Sequence, residues 1–123
     1  MKLAREATGG GPLIQGFARG GFRVDDNIYT ALLITPRRAE GWTPPPVEQL
    51  SVAAFAPALA LDPPPEFVLL GTGASLYHPP LALRQALEAQ GVGLEVMDSR
   101  AAARAWSVLR GEDRWIAAAL YPL

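Results

Sequence analysis

Cysteine is missing from the 123 residues of this chain, and histidine occurs only once, at His78. The lack of cysteine excludes disulfides, thiolate metal sites and cysteine nucleophiles, and it fits a reducing compartment. A zinc site would have to take almost all of its ligands from carboxylates, which is unusual for zinc. We therefore expect no metal and no other cofactor.

The sequence also lacks an excess of charge and any long hydrophobic run. The chain has eleven Lys and Arg residues and twelve Asp and Glu residues, so the net charge is −1. No overall positive field attracts phosphate groups, and nucleic acid is not an expected partner. No stretch approaches the ~20 apolar residues that span a bilayer, and residues 1–11 lack the apolar centre of a signal peptide. We expect a cytoplasmic protein that is not embedded in a membrane, while peripheral association with a membrane complex stays open.

Length and composition are those of one globular domain. Half of the residues are hydrophobic and 19% are charged, which is ordinary for a folded protein. A chain of this size forms one core. We predict a flexible Gly-rich tail over residues 1–11 and a single α/β domain over residues 12–123.

The N-terminal half has the pattern of short antiparallel strands. Residues 13–17, 22–24 and 28–34 are rich in β-forming side chains and are separated by glycines or by an Asp-Asp-Asn turn sequence. Pro36 ends the third strand, because proline has no amide hydrogen to donate to a sheet. An Ala-rich segment between two triple prolines predicts a short helix over residues 52–59, with Ser51 as its N-cap.

The C-terminal half alternates strands and helices, which is typical of an α/β layer. Residues 67–70 and 115–120 are apolar runs, as expected of strands that are covered on both faces, and residues 94–97 are predicted as the strand between them. One helix is predicted from about Pro80 to a C-terminal cap at Gly91, and a second over residues 100–110. The second helix would place Ala103 on its solvent face together with Arg100, Arg104 and Ser107.

Four strings of sequence carry a resemblance to a known family. They are IQGFARGGFRVDDNIYTALLITP at residues 14–36, VLLGTG at 68–73, LEVMDSRAAARAWSVL at 94–109 and IAAALYP at 116–122. In this order they resemble the small single-domain family that includes a mitochondrial respiratory complex I assembly factor and an adipogenesis-associated vertebrate protein, with uncharacterised bacterial members.

The resemblance implies a three-layer α/β fold with a five-stranded mixed central sheet, helices and an accessory N-terminal β layer. It also implies an accessory role, because the eukaryotic relatives act by binding other proteins while a membrane complex is assembled. Where relatives commonly read ACRTYN, this chain reads AARAWS at residues 102–107. Any chemistry of that cysteine therefore cannot operate at Ala103.

The turn Gly71-Thr72-Gly73 follows a predicted buried strand, at the end where ligands enter open α/β sheets. Glycines there would let backbone amides approach a phosphate or carboxylate, although the sterics of a tight turn explain the same glycines. The third glycine of a dinucleotide fingerprint and the lysine of a phosphate loop are missing. Ser75 lacks the second glycine of a nucleophile elbow, so Ser75 and His78 do not indicate a serine hydrolase.

Three further positions have two readings each. Arg100 follows Ser99 in the first turn of a predicted helix, where a cation opposes the helix dipole. Arg100 and Arg104 either belong to a solvated face with local pairing to Asp98, or they meet a carboxylate of a partner or ligand. Trp42 is either an exposed contact for another protein or packed against the nearby prolines. The other aromatic residues singled out by position are expected mostly in the core, namely Phe17, Tyr29, Phe67, Tyr77 and Trp115.

Together with the family resemblance, the sequence favours a non-enzymatic accessory protein that binds other proteins, with a role in the assembly or biogenesis of a membrane complex as the expectation. The candidate contact residues are Gly71, Thr72, Gly73, Ser99, Arg100, Arg104, Ser107 and Trp42. The alternative is a small-molecule or anion-binding protein, or an enzyme, with its site between the Gly71-Thr72-Gly73 turn and the Ser99 helix start. The sequence fixes neither the partner nor the oligomeric state.

Overall fold

A computed structural model describes residues 10–123, so residues 1–9 of the predicted tail lie outside the described residues. The N-terminal strands β1 (Gly16–Ala18), β2 (Gly21–Val24) and β3 (Asn27–Tyr29) form an antiparallel sheet in that order. A second sheet contains β4 (Leu32–Ile34), β5 (Ala39–Gly41), β6 (Phe67–Gly71), β7 (Gly93–Met97) and β8 (Ala117–Leu120) in the order β5-β4-β8-β6-β7. The helices are α1 (Ala56–Leu59), α2 (Leu81–Ala89) and α3 (Ser99–Gly111). The predicted α/β fold, with a five-stranded mixed sheet and an accessory β layer, is confirmed.

The central sheet is mixed because β6 pairs in parallel with both β7 and β8, whereas β8 pairs antiparallel with β4. Parallel neighbours need crossover connections, and α2 and α3 supply them. Gly71, the last residue of β6, lies opposite Met97 of β7 and Leu120 of β8. The carboxyl ends of three parallel strands therefore meet at one edge of the sheet.

Two apolar clusters cover the two faces of this sheet. On one face, Leu83 and Leu87 of α2 pack with Phe55 against Val68 and Leu70. The other face carries α3 and the three-stranded sheet, and its cluster is Ile14, Phe22, Val24, Leu32, Ile34, Leu69, Ala102, Ala103, Trp106, Ile116, Ala118 and Leu120. Strands β6 and β8 are buried on both faces, as their continuous apolar runs predict.

The N-terminal strands differ from the prediction in two places. Residues 28–34 are not one strand, because the chain leaves the small sheet after β3 and enters the central sheet at β4. Strand β5 was not predicted from its residues Ala39–Gly41, which have little β propensity. It forms because the Thr35 hydroxyl accepts the amides of Arg37 at 3.1 Å and Arg38 at 3.2 Å and so reverses the chain.

The predicted helix over residues 52–59 is a 3-10 helix at Val52–Phe55 followed by α1. Ser51 occupies the predicted N-cap position, but its hydroxyl makes no capping bond; the Ala54 amide donates instead to the Ser51 carbonyl at 3.1 Å. A further 3-10 helix covers Val47–Gln49. No helix within residues 10–123 is both long and apolar enough to cross a membrane.

Helix α3 is covered on two sides, so the prediction that Ala103 faces solvent is wrong. The N-terminal segment runs along α3 and is fastened to it by three side chains. Trp106 Nε1 donates to the Pro12 carbonyl at 3.1 Å, Ser107 Oγ to the Ile14 carbonyl at 3.0 Å, and Arg110 Nη2 to the Gly10 carbonyl at 2.9 Å. The methyl group of Ala103 is buried beneath this segment.

Candidate functional site

The turn Gly71-Thr72-Gly73 is joined to the start of α3 by hydrogen bonds. The Thr72 amide donates to the Met97 carbonyl at 2.9 Å, and the Gly73 amide donates to Ser99 Oγ at 2.8 Å. The Ser99 hydroxyl in turn donates to the Tyr121 carbonyl at 2.8 Å, in a fully buried position. Two of the amides that were candidates for holding an anion are therefore already bonded within the protein.

Gly71 has a steric role at this junction. A Cβ at position 71 would lie 2.8 Å from Leu120 Cδ2 and 2.8 Å from both Cα and Oγ of Ser99. Real Cβ atoms do not approach other atoms so closely, so only glycine lets the end of β6 meet the start of α3. The geometry accounts for this glycine by packing rather than by a bound anion.

Arg104 and Ser107 do not line the Gly71-Thr72-Gly73 turn. They line a cavity of about 290 Å³ together with Ile14, Gln15, Gly16, Phe17 and Ala103, against the N-terminal segment. The alternative of an anion held between the glycine turn, Ser99 and Arg104 is not favoured by this arrangement. The structure brings Gly71, Thr72, Gly73 and Ser99 together and places Arg104 and Ser107 in a different cavity.

Two of the three arginines of α3, Arg100 and Arg104, lie over one aromatic ring. The Cζ atoms of Arg100 and Arg104 are 4.7 Å and 6.0 Å from the centroid of Phe17. Asp98, the N-cap of α3, accepts the Ala101 amide at 2.9 Å. It forms no ion pair with either arginine, and within residues 10–123 no other carboxylate does so. The local pairing with Asp98 considered from the sequence is therefore not formed.

Trp42 is half-buried and packs inside the domain. Its Nε1 donates to the Ala54 carbonyl at 3.0 Å, and its ring meets Tyr121 edge-on with centroids 5.2 Å apart. The ring of Phe55 lies 5.9 Å away on the other side. These contacts make Trp42 a packing residue, and they do not support its reading as an exposed anchor for a partner.

An exposed apolar surface lies in and just after the loop between β6 and α2. Leu76, Tyr77 and Leu81 are 51%, 59% and 67% exposed, respectively. We call these three side chains the Tyr77 surface. Sequence reasoning placed Tyr77 in the core and was wrong there, because the loop turns its ring outward. The available signal was the position of Leu76 and Tyr77 in a short segment between a glycine turn and a Pro-Pro pair.

The loop conformation is set by the side chain of Thr72. Its hydroxyl accepts the Tyr77 amide at 3.0 Å and donates to the Ser75 carbonyl at 2.6 Å. Thr72 is itself buried at the end of β6. The Tyr77 surface is therefore held in place by the central sheet.

A cavity of about 380 Å³ opens beside this surface, at the carboxyl ends of β6 and β8. It is lined by Pro46, Val47, Glu48, Thr72, Tyr77, His78 and Tyr121. The Tyr121 hydroxyl donates to the Pro45 carbonyl at 2.6 Å. Burial, with a smaller effect of the Glu48 charge, raises the pKa of Tyr121 to about 12. Tyr121 therefore stays a neutral phenol at physiological pH and is not available as a base.

Metal ligands are not assembled in the described part of the chain. Within residues 10–123, no three His, Asp or Glu side chains cluster closely enough to hold a metal ion. Ser75 is exposed, and its backbone carbonyl is the atom that Thr72 binds. The Thr72 and Tyr121 hydroxyls of the cavity thus fix the loops that form it.

Comparison with known proteins gives a consistent set of relatives. Residues 14–121 match the family described as "Protein of unknown function (DUF498/DUF598)". An uncharacterized protein of Rhodobacter capsulatus is 36% identical over 111 residues, covering 89% of this chain and 84% of that protein. NADH dehydrogenase (ubiquinone) 1 alpha subcomplex assembly factor 3 of Danio rerio is 25% identical over 123 residues, covering 99% of this chain and 71% of that protein. The crystal structure of a Bordetella parapertussis protein is similar with a TM-score of 0.82 at 27% identity, covering 93% and 98% of the two chains.

Proposed function

This chain belongs to the DUF498/DUF598 family, and from that membership and its surface we propose that it is an accessory protein that binds other proteins. The family resemblance inferred from four sequence strings is confirmed, and the relatives include a complex I assembly factor. We further propose that the partners belong to a membrane complex whose assembly or biogenesis the protein assists. It would act from the cytoplasm, by peripheral association.

The Tyr77 surface is the observation that carries the proposal. It comprises two leucines and a tyrosine, each at least half exposed, within six residues of one another in and just after the loop that follows β6. Removing apolar surface from water is favourable by about 25 cal/mol for each Å² that a partner covers. Clustered exposed apolar residues mark interaction sites, and aromatic anchors contribute strongly to protein interfaces. A protein partner is the occupant that such a surface fits.

The adjoining cavity supports the same interpretation. The hydroxyls of Thr72 and Tyr121 both donate to carbonyls of the protein itself. The remaining lining consists of Pro46, Val47 and the ring of Tyr77, together with the polar residues Glu48 and His78. A pocket of this kind suits an apolar side chain of a partner inserted next to Tyr77.

Affinity capture from the cells that produce this protein tests the proposal. The double variant Tyr77→Ser, Leu81→Ser removes the two most exposed side chains of the surface. Val108→Ser is the matched control, because Val108 is an apolar residue of α3 that is 61% exposed and lies outside the Tyr77 surface. Since all three side chains are exposed, the free energy of unfolding of each variant should lie within about 0.5 kcal/mol of the wild-type value.

We expect wild type and Val108→Ser to capture the same subunits or assembly proteins of a membrane complex. The double variant should recover at least about fivefold less of them, because interface anchors dominate binding energy. Equal recovery by all three proteins would contradict the proposal, as would partners that have no connection to a membrane complex.

A further inference from the structure

The surface formed by Phe17, Arg100 and Arg104, here called the Phe17 face, has a chemistry different from that of the Tyr77 surface. We propose that the Phe17 face binds an acidic segment of a partner protein, with one carboxylate on each guanidinium group. The proposal rests on the proposed function only in taking a protein as the partner. It adds a second, charged contact and names the chemistry that it recognises.

Helix α3 brings two cations to one ring. Arg100 and Arg104 are four residues apart, so they lie on the same side of the helix, and both guanidinium groups lie over Phe17. Like charges at this spacing repel each other. Arg100 is also in the first turn of α3, where a positive charge opposes the helix dipole. An anionic partner would offset both of these unfavourable effects.

Arg114 also lies over an aromatic ring, but it is paired with a carboxylate of the same chain. Arg114 lies 5.6 Å from the ring centroid of Phe67, and its Nη2 pairs with Glu66 Oε1 at 2.7 Å. That arginine and aromatic pair therefore has a carboxylate supplied by the chain itself. Arg100 and Arg104 have none within residues 10–123, since Asp98 binds the Ala101 amide instead. Within the described residues, the Phe17 face therefore has no carboxylate that does for Arg100 and Arg104 what Glu66 does for Arg114.

The shape of the face suits side-chain carboxylates. Stacking on an aromatic ring uses the flat face of a guanidinium and leaves its N–H donors at the edge, where they bind carboxylates in pairs. The 290 Å³ cavity beside Arg104 is bordered by Gln15 and Ser107, so an acidic side chain can enter next to the cation. The net charge of −1 provides no broad positive field for a phosphate polymer. An acidic protein segment is therefore the partner that this face fits.

Nuclear magnetic resonance titration with a short peptide of alternating Glu and Gly residues tests the inference. The same peptide with Gln in place of Glu is the uncharged control. We expect the acidic peptide alone to shift the backbone resonances of Phe17, Arg100 and Arg104. The affinity should fall steeply as NaCl is raised from about 50 to about 500 mM, because salt screens exposed charges.

The double variant Arg100→Gln, Arg104→Gln should weaken this binding at least about fivefold, since two exposed ion pairs are lost. Arg37→Gln is the matched control, because Arg37 is also exposed and lies 5.3 Å from the ring centroid of Trp115. It should bind the peptide like wild type. Unchanged binding by the double variant, or no shift at the Phe17 face, would overturn the proposal.

Two further probes separate other sources of negative charge. Inorganic phosphate or vesicles of phosphatidylglycerol that bind the Phe17 face more tightly than the acidic peptide would overturn the assignment to a protein segment. The Tyr77→Ser, Leu81→Ser variant should bind the acidic peptide like wild type. Failure of the peptide titration with normal partner capture would therefore reject this inference alone, and the reverse result would reject the proposed function alone.

Discussion

Gly73 donates its backbone amide to the hydroxyl of Ser99 at 2.8 Å, which ties the loop after β6 to the first residue of α3. The same hydroxyl donates to the Tyr121 carbonyl at 2.8 Å, beyond the end of β8. One buried side chain thus joins the carboxyl ends of two strands to a helix. The Tyr77 surface and its cavity are built on these same two loops.

Replacing Ser99 should destabilise the protein strongly. Ser99→Ala leaves a buried amide at Gly73 and a buried carbonyl at Tyr121 without their partner, and unsatisfied buried groups cost about 1–3 kcal/mol each. We expect the free energy of unfolding in urea to fall by about 2–4 kcal/mol. Ser75→Ala, at an exposed serine of the same loop, should change it by less than about 0.5 kcal/mol. A Ser99→Ala protein as stable as the Ser75→Ala control would show that this junction is not what holds the loops.

Adding one methyl group at Gly71 should also be destabilising. The new Cβ would meet Leu120 Cδ2 and Ser99 at 2.8 Å, so β6 and α3 would have to separate. Overpacking of this kind costs about 1–3 kcal/mol, measurable by chemical denaturation.

The control is Gly111→Ala near the end of α3, where an added Cβ meets no atom within 4 Å. It should be neutral or stabilise the protein by up to about 1 kcal/mol, because alanine restricts the unfolded chain. Equal effects of the two substitutions would argue against a steric role for Gly71.

Tyr121 should titrate at unusually high pH. Burial and the Glu48 charge raise the pKa of Tyr121 from 10.0 to about 12, because both disfavour the phenolate. The absorbance of wild type minus that of Tyr121→Phe isolates this transition. Glu48→Gln should move the Tyr121 pKa downward, since it removes the neighbouring negative charge. A midpoint near 10 in the wild-type difference curve would contradict the burial of this hydroxyl.

The raised pKa of Tyr121 also predicts how the stability of the folded protein changes with pH. The folded protein holds the Tyr121 proton more tightly than the unfolded chain does, so this contribution to stability is fully present below pH 10. It should be lost as the pH rises from 10 toward 12. The loss should be absent in Tyr121→Phe, which has no phenolic proton at that position.

The strands of the central sheet were predictable where burial on both faces leaves a continuous apolar run, as in residues 67–70. The break between β3 and β4 was not, because residues 28–34 are rich in β-forming side chains and the change of sheet occurs inside that run. Strand β5 was missed because its residues Ala39–Gly41 have little β propensity, and the Thr35 turn that creates it is a side-chain effect. Local composition predicts well which strands are buried. It predicts poorly where a side-chain hydrogen bond reverses the chain.

The chemistry of the surface was harder to predict from the sequence than the fold was. The glycine turn and Ser99 were singled out together, and they do meet, yet their amide and hydroxyl groups bond to each other. Tyr77 was assigned to the core because aromatic residues are usually buried on average. Its exposure follows from the Thr72 hydroxyl that holds the loop, a contact five residues away in the chain. Which residues of a loop face solvent depends on such bonds rather than on residue type.

The most direct test of the account places a photoreactive phenylalanine analogue at residue 77 and, in a second protein, at residue 108. Both variants are expressed in the cells that make the natural protein, and cells are irradiated before lysis. The account predicts a defined crosslinked partner from a membrane complex at residue 77 and little or none at residue 108. Equal crosslinking at the two positions, or none at residue 77, would contradict the claim that the Tyr77 surface is where this protein meets its partner.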